Sequence, residues 1–98
     1  MNVNEMEKNA KEASNLLKSL ANPNRLMVLC HLSKNECTVG ELEKLVGLSQ
    51  SALSQHLARL REEEIVECRR EAQSMHYSVR DEKTKKLLES LYELYCNT

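Results

Sequence analysis

The feature that most narrows what this chain can fold into is a change of apolar period past residue 65. Up to Leu60, apolar residues recur at helical spacing. Beyond it, Val66, Cys68 and Arg70 alternate with Glu67 and Arg69, and Met75, Tyr77 and Val79 alternate with His76, Ser78 and Arg80. Recurrence every three to four residues marks a helix with one buried face, whereas strict alternation marks a strand. Glu71-Ala72-Gln73-Ser74 sits between the two alternating runs and supplies a turn, so the segment is predicted to be a β-hairpin. Helical spacing returns from about Asp81, where Leu87, Leu88, Leu91, Leu94 and Tyr95 form a broad apolar stripe.

Four helices are expected before the hairpin. Met6, Ala10, Ala13, Leu17 and Leu20 make one stripe on a charged segment that ends at Asn22-Pro23. The same pair starts the second helix, with Asn22 as N-cap and Pro23 in the first turn, where its missing N–H costs nothing. That helix runs to about Ser33 and is dense in apolar residues, so it is expected to be central and mostly buried. Lys34-Asn35-Glu36-Cys37 is a polar turn. Thr38 and Glu41 have capping-box spacing for a short third helix, which Gly47 ends. Ser49 caps a fourth helix, about Gln50 to Glu63, with Leu53, Leu57 and Leu60 facing inward. Two helices joined by a short turn containing Gly outline a helix-turn-helix. The order α-α-α-α-β-β-α, mainly α with a β-hairpin wing, predicts a winged helix-turn-helix occupying residues 1–98 as one domain.

Size bears on partners. Ninety-eight residues hold one small domain, and the core has no Phe or Trp, so part of the stabilising burial is expected to come from a second copy. The first and last helices, far from the wing, are the expected homodimer interface. No run of eighteen apolar residues and no basic-then-apolar leader occurs, which predicts a cytoplasmic protein away from the membrane.

The outer face of the fourth helix carries the functional signal. Gln50, Ser51, Ser54, Gln55, Ala58 and Arg59 are small, amide-bearing or basic where an ordinary solvated helix shows Glu and Lys. Short donors and acceptors suit base edges in the major groove, and Arg suits guanine or phosphate. Arg69, Arg70 and Gln73 on the hairpin are expected to make a second contact. Charge gives no global attraction to DNA: residues 49–98 hold eight basic and nine acidic groups, so binding must come from a local patch, with Glu62, Glu63 and Glu64 facing away.

The four Cys, at 30, 37, 68 and 96, form no CxxC and no zinc-finger spacing. Four free thiols are the expectation, with Cys68 in the core and Cys37 exposed. A base, a substrate pocket and a recycling CxxC are all missing from the pattern, so an enzyme is not expected and no cofactor is implied.

Taken together, Leu20-Ala21-Asn22-Pro23-Asn24-Arg25-Leu26, Val39-Gly40-Glu41-Leu42, Leu48 to Leu57, Arg69 to Gln73 and Tyr77-Ser78 resemble the ArsR/SmtB family of bacterial repressors over nearly the whole chain. The segment Ser49-Gln50 to Ser54-Gln55-His56-Leu57 is the most specific part, and it adds His56 to the residues expected at the DNA. The resemblance implies a dimeric winged-helix repressor that leaves its operator when an inducer binds. Metal-sensing members use a Cys-x-Cys pair where this chain has Thr38 and Gly40. Others use a set in the last helix of which only Asp81 remains, with Lys83, Leu94 and Asn97 in the other places. A metal response would need a non-standard Cys site. Cys30 and Cys96, with the ending Leu91 to Cys96, instead resemble the sulfide- and persulfide-responsive branch, in which two thiols of one subunit are bridged by one or more sulfurs when reactive sulfur species or oxidants accumulate. A regulator that displaces a nucleoid silencing protein is the alternative. One departure is Glu64, where Gly more often ends the recognition helix; a left-handed backbone there costs a non-Gly residue about 1 kcal/mol.

Overall fold

In the computed structural model, which describes residues 1–96, each helix begins where a side chain can satisfy its free N–H groups. The elements are α1 (Val3–Leu20), α2 (Pro23–Lys34), α3 (Val39–Val46), α4 (Gln50–Glu62), β1 (Val66–Glu71), β2 (Ser74–Val79) and α5 (Glu82–Tyr95). Asn22 Oδ1 accepts from the N–H groups of Asn24 and Arg25 at 2.9 and 3.1 Å, and Pro23 opens α2. Thr38 and Glu41 form the expected capping box: the Thr38 hydroxyl accepts from the Glu41 N–H, and the Glu41 carboxylate accepts from the Thr38 N–H. Gly47, with φ of 77°, closes α3 in the left-handed region, and Ser49 Oγ accepts from the Ala52 N–H to start α4. The Asp81 carboxylate caps α5, taking both the N–H and the hydroxyl of Thr84. This winged helix-turn-helix is the architecture read from the period change.

The core lies where α2, α3 and α4 meet the base of the hairpin. Val28, Leu29, Leu42, Leu53, Leu57, Leu60 and Val66 are fully enclosed, and Leu20, Ile65, Val79 and Leu88 close the edges. Burying each of these side chains contributes roughly 1.5–3 kcal/mol. The strands pair antiparallel with Val66 opposite Val79 and Glu71 opposite Ser74. Ala72, at φ 55°, takes the positive-φ position of the turn.

Three expectations, for Cys37, Cys68 and α2, are corrected. Cys37 is buried, not exposed: it leaves the polar turn to pair with β2, exchanging 2.8 and 3.0 Å backbone bonds with Tyr77. A third extended segment beside the hairpin satisfies the outer edge of β2, and that places the thiol inside. Cys68 is half-buried rather than in the core, on the opposite strand to Tyr77. The apolar stripe of α1, expected at a homodimer contact, is buried here only at its end, at Leu20, and leaves Met6 and Leu17 47% and 55% exposed. One flank of α2 is likewise open: Met27 is 47% exposed, and Cys30 is at the surface. Glu63 and Glu64 are both exposed, and each side chain has a partner: Arg59 and Ser19 for Glu63, Arg80 for Glu64.

Candidate nucleic-acid interface and thiol pair

Because Leu53, Leu57 and Leu60 point α4 inward, the opposite face is delivered to the surface. Gln50, Ser51, Ser54, Gln55 and Arg59 are all exposed there, and His56 is half-buried at its margin. Ser49 Oγ lies 3.4 Å from Ser51 Oγ at the start of the helix. No carboxylate lies among these exposed side chains until Glu62 and Glu63 at the far end. Enclosure holds the His56 imidazole below its usual range, and the charges of Arg25 and Arg59 push the same way. Neutral at pH 7, it is both donor and acceptor. The arrangement offers short polar groups for base edges at the helix start and a cation for phosphate further along.

The hairpin presents its basic residues unequally. Arg70 and Gln73 are exposed, the latter at the tip. Arg69 is occupied: its Nε and Nη2 donate to Glu36 at 2.9 and 2.7 Å, and its Nη1 donates to Glu71 at 2.8 Å. His76, opposite Arg69 across the strands, lies 3.9 Å from Glu36 and 4.0 Å from Glu71. This group braces the wing against the loop before α3, a contact that sequence reasoning missed because Glu36 and β1 are far apart in the chain.

The last turn of α4 holds a second missed arrangement. Arg25, buried, donates from Nε to the Ser19 carbonyl at 2.8 Å and from Nη2 to the Lys18 carbonyl at 3.2 Å, capping the C-terminus of α1. The Glu63 carboxylate accepts from the enclosed Ser19 hydroxyl with one oxygen and from Arg59 Nε at 3.1 Å with the other. Burial lowers the Arg25 guanidinium and the Arg59 charge adds to this, while Glu63 opposes it. Glu64, at φ 61°, has the left-handed backbone anticipated for its position and pairs with Arg80 at 3.4 Å.

Away from α4 in the chain, Cys30 on α2 and Cys96 at the end of α5 are both free and exposed. Partial enclosure pushes the Cys30 thiol up, and the charge of Cys96 pushes it further. The two sulfurs therefore lie within electrostatic reach of each other. The same two helices carry exposed apolar side chains, Met27 on α2 and Tyr92, Leu94 and Tyr95 on α5.

The metal sets of the resembling family do not fit. Thr38 is spent on the α3 cap and Asp81 on the α5 cap. Lys83 pairs with Glu12 of α1 at 2.9 Å, Leu94 brings no donor, and Asn97 lies outside the described residues. Among the described residues no three His, Cys, Asp or Glu side chains gather as a metal site. Nor is any described helix long and apolar enough to cross a membrane.

Residues 22–67, which span α2 to the start of the wing, match the family described as bacterial regulatory protein, arsR family. Over 96 residues the chain is 51% identical to the transcriptional activator HlyU of Vibrio cholerae, covering 98% of this chain and 89% of that one. It is 45% identical to the biofilm growth-associated repressor of Xylella fastidiosa, again over 96 residues, covering 98% and 84%. The crystal structure of the Xylella repressor BigR superposes with a TM-score of 0.93 over 98% of each chain. A structure described as reduced HlyU from Vibrio cholerae superposes at 0.88, covering 94% of this chain and 97% of that one.

Proposed function

This chain belongs to the arsR family of bacterial regulatory proteins, a transcriptional regulator and not an enzyme, and from there we propose that it is a homodimeric repressor whose DNA grip is released through the Cys30–Cys96 dithiol. Residues 1–98 act as one DNA-binding and dimerisation domain. Gln50, Ser51, Ser54 and Gln55 read operator bases, with His56 at their edge. Arg59, Arg70 and Gln73 hold the backbone, and Arg69 joins them only when its carboxylates release it. Two copies meet through α1 and α5, and Val3, Met6, Leu17, Tyr92, Leu94 and Tyr95 are the apolar residues available to that contact. Dimers read half-sites about one helical turn apart, so a small change in the spacing of two α4 helices abolishes binding.

The observation that carries the sensing half is the placement of two surface thiols on α2 and α5 close enough for one to feel the other's charge. That one solved relative is described as reduced fits a thiol that changes state. With a persulfide donor RS–SH, one thiolate takes the outer sulfur and RS⁻ leaves, giving Cys–S–SH. The second thiolate then attacks the inner sulfur, hydrosulfide leaves, and a disulfide remains. If both thiols carry the extra sulfur, their condensation releases H₂S and leaves a trisulfide. With hydrogen peroxide, two thiols give a disulfide and two waters. Either bridge ties α2 to α5 and so shifts the dimer helix. A second reading draws on the name of the Vibrio relative, an activator: the same occupancy of DNA removes a silencing protein and raises transcription.

Intact-protein mass spectrometry with peptide mapping, after a glutathione persulfide donor and separately after peroxide, tests the dithiol. A Cys30–Cys96 link formed with persulfide alone assigns reactive sulfur as the signal. A link from both reagents makes a general redox switch, and no link in either removes the sensor. Sedimentation tests the assembly: Leu17→Glu with Tyr95→Glu should leave a folded monomer.

A further inference from the structure

The contacts of Glu63 have a consequence that its place in the sequence hides. An acidic residue at the end of a DNA-reading helix would ordinarily oppose phosphate, because charge of that sign repels the duplex. Here its two oxygens are divided between two elements: one receives the Ser19 hydroxyl from the end of α1, and the other receives Arg59 Nε from α4. Ser19 is wholly enclosed and Arg25 fixes its carbonyl, so the α1 end of this relay is anchored. A carboxylate held on a buried hydroxyl is a fixed acceptor. Arg59 is gripped by Nε, and among the described residues its two terminal nitrogens carry no partner. A guanidinium gripped from behind in this way loses little further rotamer freedom on meeting a phosphate, which is the benefit of pre-organisation.

We propose that Glu63 is a positioning residue that couples α1 to the recognition helix, setting Arg59 for a backbone phosphate through the Ser19–Glu63–Arg59 relay. The assignment rests on the reading of α4 as the helix that meets DNA. It makes α1 more than a dimer helix: a shift at its C-terminal end moves Ser19, frees Glu63 and unseats Arg59 without any change in the bases contacted.

The sign of one substitution separates this from simple electrostatics. Glu63→Ala removes a negative charge beside the DNA face, so charge alone predicts tighter binding. The relay predicts looser binding, by about fivefold or more for a lost charge-assisted contact. The probe is a duplex selected by the unsubstituted protein from a random-sequence pool, titrated across a salt series. Glu63→Ala should reduce the salt slope by about one, as loss of one phosphate contact does, and Arg59→Ala should do the same. Made in the Arg59→Ala background, Glu63→Ala should no longer weaken binding. Ser19→Ala, which alters no charge, should weaken it in the same direction and to a smaller extent, and Glu63→Gln should recover part of the loss. Equal thermal midpoints and sedimentation for the variants exclude misfolding; if Glu63→Ala does not fold, the pair Ser19→Ala and Glu63→Gln decides. Unchanged or tighter binding by Glu63→Ala, or an equal loss with and without Arg59, overturns the relay alone. No duplex binding by the unsubstituted chain overturns the DNA reading, and the relay with it.

Discussion

Arg69 on β1 and Glu36 in the loop before α3 form a two-pronged ion pair, with nitrogen–oxygen distances of 2.9 and 2.7 Å. Glu71 takes the third arm at 2.8 Å, so the most basic point of the wing is neutralised within the protein itself. Bidentate geometry of this kind fixes direction as well as charge. The wing is thereby braced against the body of the helix-turn-helix, and among the described residues Arg70 is left as the cation of β1 without an acidic partner.

Releasing Arg69 should add a DNA contact. Glu36→Gln combined with Glu71→Gln is expected to tighten DNA binding and to steepen its salt slope by about one. Loss of acidic charge alone also tightens binding, so the same pair is compared in an Arg69→Ala background. There the added steepness should vanish; if it persists, Arg69 is not the group released.

The two carboxylates flanking this loop set an acid limit. Hydrogen bonding from Arg69, with the Arg69 and His76 charges, holds Glu36 below the usual carboxylate range, and the Thr38 N–H and hydroxyl do the same for Glu41. A depressed folded-state value means the contribution is complete above the unfolded carboxylate value of about 4.3 and is lost as pH falls through the lowered one. Thermal midpoints between about pH 6 and pH 2 should therefore drop over the acid end. The drop should be shallower in Glu36→Gln and Glu41→Gln.

Cys30 should be a slow nucleophile at neutral pH. Enclosure and the nearby Cys96 charge both push its thiol up, so its alkylation rate should climb about tenfold per pH unit through neutrality. Cys96→Ser removes the second cause and should shift that profile to lower pH. An unmoved profile would mean that the two sulfurs do not meet in solution. Cys30→Ser and Cys96→Ser should each keep DNA binding and lose the response to persulfide or oxidant.

Glu64 stores strain at the joint between α4 and the wing. With φ at 61° it carries a Cβ in a region that favours Gly. Glu64→Gly should stabilise the fold by about 1 kcal/mol. The offset is whatever the exposed Glu64–Arg80 pair contributes, about 0–1 kcal/mol. Chemical denaturation should show a higher midpoint with an unchanged slope.

What could be read from the chain alone was whatever is encoded over a few neighbours. Asn22-Pro23, the Thr38–Glu41 box, Gly47 and Ser49 mark helix ends because each cap is closed by a residue two to four positions away. The period change located the hairpin, and the polar face of α4 followed from Leu53, Leu57 and Leu60 opposite it. The misread features all depend on contacts between distant segments. Cys37 looked exposed because Tyr77, whose backbone draws it inside, belongs to β2. Arg69 looked free and Glu63 looked idle because Glu36 and Ser19, their partners, are on other elements. α2 looked mostly buried, yet it turns the flank that carries Met27 and Cys30 outward. Local sequence sets backbone period and caps through short-range sterics and hydrogen bonds. Which charges are spent and which thiols meet is decided only when the core brings distant segments together.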